Sequence, residues 1–164
     1  LKSTPRRVAE AYSEFFAGLG TDPLVHLTET YPLDTALSPE PVLVRDLEFR
    51  SICEHHLLPF IGVAHLAYVP FDRIVGFGRL AAVVNTLSAR PQLQERLGEQ
   101  IADAIAEGLD ATGVLVVLEA SHGCVTMRGP KQTVSTTVTV SSRGTLAEPI
   151  ARAELMTLIS RGHQ

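Results

Sequence analysis

Apolar residues recur at helical spacing near the start of the chain: Val8, Ala9, Tyr12, Phe15 and Phe16, ahead of Gly18 and Gly20. With Thr4 as N-cap and Pro5 at the first helical position, this spacing predicts a helix over 4–19. Residues 21–40 carry Pro23, Pro32 and Pro39 without periodicity and read as loop. PVLVRDLEFRSI from 41 and IGVAHLAYVP at 61–70 read as strands, the second closing at Pro70. Helical spacing returns between Gly76 and Leu87. Across 90–109, Leu93, Leu97, Ile101, Ile105 and Leu109 stand four apart, a single buried stripe on a long helix. GVLVVLEASHGCVTMRG at 113–129 opens as a buried strand, and TVSTTVTVSS at 133–142 is β-branched throughout, a strong strand pattern. AEPIARAELMTLIS closes the chain as a helix over 147–161.

Helix, two strands, two helices, two strands, helix is the order of an α+β domain. Its four-stranded antiparallel sheet would be covered by helices on one face. The pattern predicts one domain over 1–164, with its core at 41–143, and 164 residues suffice to bury a core without disulfides. No apolar run approaches the roughly 20 residues of a membrane span. The opening LKSTPRRVAEAY lacks the apolar centre of a signal peptide, so the chain reads as cytoplasmic, with no membrane partner. Its net charge of −4 argues against a nucleic-acid partner, whose footprint would be a basic face. An anionic small substrate stays open, because a few local arginines can outweigh a mildly negative whole.

The chemistry concentrates in SICEHHLLPF at 51–60. Cysteine and histidine are zinc ligands, and Cys53 and His56 are three apart, which converges on one ion if the chain turns. Cys53 and His55 would converge instead on an extended segment, so spacing leaves the choice of histidine open. A second cluster follows at His122-Gly123-Cys124, where a strand would point both side chains into one pocket. Two sulfurs and one nitrogen leave a fourth position for water, the pattern of catalytic rather than structural zinc. His26, in the proline-rich segment, and His65, mid-strand, carry no such pattern and read as ordinary structural histidines.

C-E-H-H at 53–56, R-P-Q-x-Q-E-R-L at 90–97, H-x-C at 122–124 and M-R-G at 127–129 occur in this order, between an opening S-T-P-x-R-V-A and a later S-x-R-G. Together they resemble GTP cyclohydrolase I, the zinc enzyme that opens the guanine ring of GTP to make dihydroneopterin triphosphate, a precursor of folates and related pterins. The resemblance runs from about residue 3 to about 160, without the family's usual N-terminal helical extension, and so implies a trimmed or short form. It implies the tunnelling fold, with subunits closing into a barrel and two rings stacking into a homodecamer. It implies Zn2+ held by Cys53, His56 and Cys124, with His55 assisting beside the metal and His122 protonating the imidazole ring. It also implies a purine held at its amidine edge by Glu95, with Gln94 beside it.

The resemblance thins where sugar and phosphates bind. The family's G-L-S-K-L-x-R stands here as Gly76-Phe77-Gly78-Arg79-Leu80-Ala81-Ala82, so the serine hydroxyl is lost, the lysine is arginine and the arginine is alanine. In the opening motif Arg7 is kept, but the lysine three positions later is Glu10. Arg7, Arg79 and Arg128 then carry the phosphate contacts, with Arg73, Lys131 or Arg143 as nearby substitutes. Two substrates stay open on these residues: GTP, or a less phosphorylated guanine nucleotide or nucleoside whose reaction could stop after ring opening. Readings from other classes fare worse. A non-catalytic homologue leaves the intact ligands and extra histidines unexplained, and a structural zinc module lacks a fourth ligand. A nitrile reductase of the same fold would need a nucleophilic cysteine and a nicotinamide motif.

Overall fold

A computed structural model describes residues 1–33 and 39–161. Positions 34–38, inside the segment read as loop, and 162–164 lie outside the described residues. Helix α1 (Thr4–Phe15) opens the chain. After it come strands β1 (Thr30–Pro32), β2 (Val42–Cys53), β3 (Pro59–Val69) and β4 (Arg73–Val75). Helix α2 (Phe77–Ser88), strand β5 (Pro91–Gln92) and helix α3 (Gln94–Leu109) lead to β6 (Gly113–His122). A single helical turn α4 (Gly123–Thr126), strand β7 (Thr137–Gly144) and helix α5 (Pro149–Ser160) complete the order.

The main sheet runs β5-β2-β3-β6-β7. Its four long strands are antiparallel neighbours, as expected. The fifth is new: Pro91 and Gln92, expected inside a helix, pair in parallel with Ile52 and Cys53. Proline cannot donate to a sheet ladder, and here it sits on the edge strand where that costs least. Strands β1 and β4 form a separate two-stranded ribbon. The segment read as loop thus contains β1 and a 3-10 turn, Pro23–Leu27, started by Asp22 accepting a hydrogen bond from the Leu24 amide at 3.0 Å. Elements of three to five residues are too short to show a period.

Side chains alternate across each strand, and β6 shows the consequence. Val114, Val116, Leu118 and Ala120 pack with Leu80, Val83 and Leu87 of α2 and with Leu97, Ile101 and Ile105 of α3. Leu115 and Val117 pack the other way, against Leu155 and Ile159 of α5. Burying both faces of β6 explains its unbroken apolar run. Two helices therefore cover one face, as predicted, and α5 covers part of the other. Helix α1 buries none of its residues; it touches the body through the Tyr12 hydroxyl, which donates to the Leu57 carbonyl at 3.0 Å. No helix among the described residues is long and apolar enough to cross a membrane.

One end of the sheet collects what matters next. Strand β2 ends there at Cys53, β3 begins at Pro59, β6 ends at His122, and β5 and the first turn of α3 lie alongside.

Candidate metal centre

Between β2 and β3 the chain turns tightly. The Leu57 amide donates to the Cys53 carbonyl at 2.8 Å, and the Cys53 amide to the Leu58 carbonyl at 2.9 Å. Leu57 adopts a left-handed backbone with φ 51°, unusual for a branched residue and costly by about 1–2 kcal/mol. The turn throws His55 and His56 outward while Cys53 stays buried. Glu54 is held aside by Arg96, whose Nη1 donates to its carboxylate at 2.8 Å. That hydrogen bond holds the Glu54 carboxyl below the usual range. Glu54 thus serves the local structure of the turn through Arg96, a partner that spacing along the chain does not reveal.

The ligand atoms of Cys53, His56 and Cys124 all lie within 4.8 Å of one another. Ligands at about 2.0–2.3 Å from a shared ion require this proximity, so small side-chain adjustments close the set. Two thiols and an imidazole suit a soft or borderline ion, and among the described residues no fourth protein ligand joins them. The His55 ring stands 6.1 Å from that of His56, centroid to centroid. Folding thus chooses the histidine that spacing left open. Burial pushes the Cys124 thiol up; the neighbouring Cys53 adds to this, and Arg128 pulls the other way, so Arg128 is close by. The expectation of a strand through His122 and Cys124 is corrected: the strand ends at His122, and Cys124 arrives on the turn of α4.

His122 has a shaped niche. Its ring stacks on Phe60 with centroids 4.7 Å apart and planes within 1°. Its Nε2 lies 2.7 Å from Oε1 of Gln94. Burial lowers the imidazole's pKa, and Glu95 partly restores it. Gln94 itself is buried, its amide nitrogen facing the carbonyls of Leu118 at 3.0 Å and Thr137 at 2.9 Å. Glu95, one residue on, is exposed in the first turn of α3. Phe60 is the residue that sequence reading missed: strand alternation places it inward, but nothing in the spacing couples it to His122.

The phosphate candidates are arranged differently. Arg7 lies on exposed α1. Arg79 begins α2, which starts beyond the far end of β3 and runs back toward the metal end. Roughly 14 Å of helix rise separates it from Ser88, and it is paired with Glu29. Arg73 holds Asp72 and Asp110, and Arg143 holds Glu99 and Asp103. Neither is an uncommitted cation. His26 bonds Thr86 at 2.8 Å, and buried His65 accepts from the Asp46 amide, in keeping with structural roles.

The chain matches the family model described as GTP cyclohydrolase I over residues 1–160. It belongs to the GTP cyclohydrolase I family. A relative from Leifsonia xyli subsp. xyli, named GTP cyclohydrolase 1, is 59% identical over 162 residues, covering 99% of this chain and 84% of that one. A relative of the same name from Carboxydothermus hydrogenoformans is 54% identical over 166 residues, covering 100% and 84%. Among solved structures, the archaeosine synthase QueF-Like in the apo form aligns with TM-score 0.54 at 15% identity. It covers 66% of this chain and 97% of that one, and at this identity the likeness is one of fold. Within the GTP cyclohydrolase I family, then, this chain brings Cys53, His56 and Cys124 together as a group that could hold a metal ion.

Proposed function

We propose that this chain is a zinc-dependent GTP cyclohydrolase I, which hydrolyses the imidazole ring of the guanine in GTP, releases formate and rearranges the product to 7,8-dihydroneopterin triphosphate. The observation that carries this is the convergence of Cys53, His56 and Cys124 in a member of that family. Zinc, when bound by these three residues, supplies a Lewis acid that makes water nucleophilic near neutral pH. The rest of the chemistry falls to the chain. His122 gives a proton to the imidazole ring of the substrate, so that carbon 8 becomes a better electrophile. His55 handles protons beside the metal group. Glu95 accepts two hydrogen bonds from N1–H and the 2-amino group, which selects guanine over adenine. Arg128, beside Cys124, and Arg7 and Arg79, contributed from elsewhere, hold the triphosphate.

Arg79, at the other end of α2, belongs with the purine site only if another copy supplies it, so this reading includes a homo-oligomer, with two stacked rings of tunnelling-fold barrels forming a decamer. Two features support assembly. Strand β7 sits at the sheet edge, paired on one side among the described residues. Val138, Val140 and Ile61 are exposed on the face that α5 leaves open. Two free thiols wanted as ligands suit a reducing compartment such as the cytoplasm.

A second reading, a less phosphorylated substrate or arrest after ring opening, is favoured by Gly78 and by the commitment of Arg73, Arg79 and Arg143 to acids. Zinc-loaded protein supplied with GTP, GMP or guanosine separates the two, with formate and pterin fluorescence followed independently. Both signals from GTP alone are expected. Formate without pterin, or turnover of guanosine equal to that of GTP, selects the second reading; zinc binding with no formate from any of the three overturns both.

A further inference from the structure

The niche around His122 determines more than its position. Gln94 is 1% exposed, so no water can repair a badly oriented amide. Its Nε2 faces the carbonyl oxygens of Leu118 and Thr137, which can only accept hydrogen bonds. The opposite flip would turn the amide oxygen onto two carbonyl oxygens, with the Thr139 hydroxyl at 3.3 Å as its one nearby donor, and each carbonyl that lost its donor would cost on the order of 1–3 kcal/mol. The amide nitrogen is therefore fixed toward the sheet, and Oε1 is fixed toward His122. That oxygen also only accepts. The ring atom 2.7 Å away, His122 Nε2, must then carry the hydrogen.

We infer that Gln94 is a positioning residue which locks His122 as the Nε2–H tautomer, leaving Nδ1 as the one ring atom that exchanges a proton with bound substrate. Among the described residues Nδ1 makes no hydrogen bond, and it is not a buried orphan. Phe60, itself 1% exposed, holds the ring plane by stacking. Tautomer and plane are thus set by different neighbours: a half-turn of the ring would restore the stacking on Phe60 but put Cε1 where Nε2 stands and lose the hydrogen bond to Gln94. Gln94 acts on the purine through His122 and not by touching it. The catalytic part of this inference rests on the proposed activity; the tautomer does not.

Zinc-loaded protein with 15N-labelled histidine reads the tautomer directly by long-range proton–nitrogen correlation, with His122 identified by its loss in His122→Gln. The neutral ring is expected to show a hydrogen-bearing Nε2 and a bare Nδ1, and Gln94→Met is expected to give a mixture or the opposite tautomer. With GTP, Gln94→Met should lose about a hundredfold in kcat, the scale of a misplaced general acid, with KM within about threefold. A bare Nε2 in the parent protein overturns the inference. So does a Gln94→Met protein whose KM rises tenfold while kcat holds, since Gln94 would then bind nucleotide itself. If Gln94→Met does not fold, the parent spectrum alone decides. If the parent protein releases no formate from GTP, the proposed activity fails while the spectrum still tests the tautomer.

Discussion

Cys124 shows how much a single residue depends on its surroundings here. Half-buried beside a second sulfur, its thiol resists ionisation; a metal ion held by the two sulfurs would reverse the preference, because a coordinated thiol gives up its proton. Cys124→Ser should therefore reduce zinc from about one ion per chain to almost none by elemental analysis, and formate release from GTP by at least about a hundredfold. Retention of stoichiometric zinc would remove Cys124 from the ligand set. Gly78 is the opposite case. Nothing lies within 4 Å of a Cβ built on it, so a side chain can be added there freely. Gly78→Ser should fold normally and gain a few tenths of a kcal/mol in helix propensity. If the missing hydroxyl matters, this change raises the ratio of pterin to formate; an unchanged ratio means that some other group does that work.

At the scale of elements, α3 links core and site. Its buried stripe packs on the sheet, and its first turn presents Gln94 and Glu95. Ile101, fully buried between sheet and helix, should cost about 2–5 kcal/mol when cut to alanine, read as a lower urea midpoint. The outer side of α3 is tied to β7: Arg143 donates to Glu99 at 2.6 Å and to Asp103 at 2.7 Å. Hydrogen bonds from Ser141 and Arg143 hold the Glu99 carboxyl below the ordinary glutamate range. A group with a depressed folded pKa stabilises above its unfolded value, about 4.3, and that contribution is lost as the pH falls through the folded value. Glu99→Gln should flatten this acid limb of the stability curve by about 0.5 kcal/mol or less, since the carboxyl is half exposed and screened. Identical acid limbs for the two proteins would show that the pair contributes nothing.

At the scale of the molecule, the sheet has an open edge at β7 and an incompletely covered face, both bearing valines. Exposed edges of this kind pair with other chains unless they are charged or covered. Light scattering should give a mass several times the 17.7 kDa of one chain. Val138→Lys, which places a charge on the uncovered face beside that edge, should shift the protein toward smaller species and weaken GTP turnover with them. A parent protein that runs as a monomer, or a Val138→Lys protein of unchanged mass and activity, would sink the assembly.

Periodicity was enough to make α2, α3, β2, β3, β6 and α5 legible, because each long element buries a stripe or alternates across a face. The cysteines and histidines of 53–56 and 122–124 are legible as candidate metal donors by residue type, while the preference for His56 over His55 is what the resemblance implies and spacing leaves open. Local pattern could not show β1, β5 or the helical turn under Cys124, since elements of two to four residues are fixed by what they pair with. Nor could it show Phe60 flat against His122, Gln94 turned inward, or Arg79 bound to Glu29. The sequence by itself determined the donors and the framework, because those depend on residue type and spacing along the chain. Only the tertiary structure decided which atoms meet and which hydrogen each one carries, because those depend on neighbours distant in sequence competing for the same polar groups.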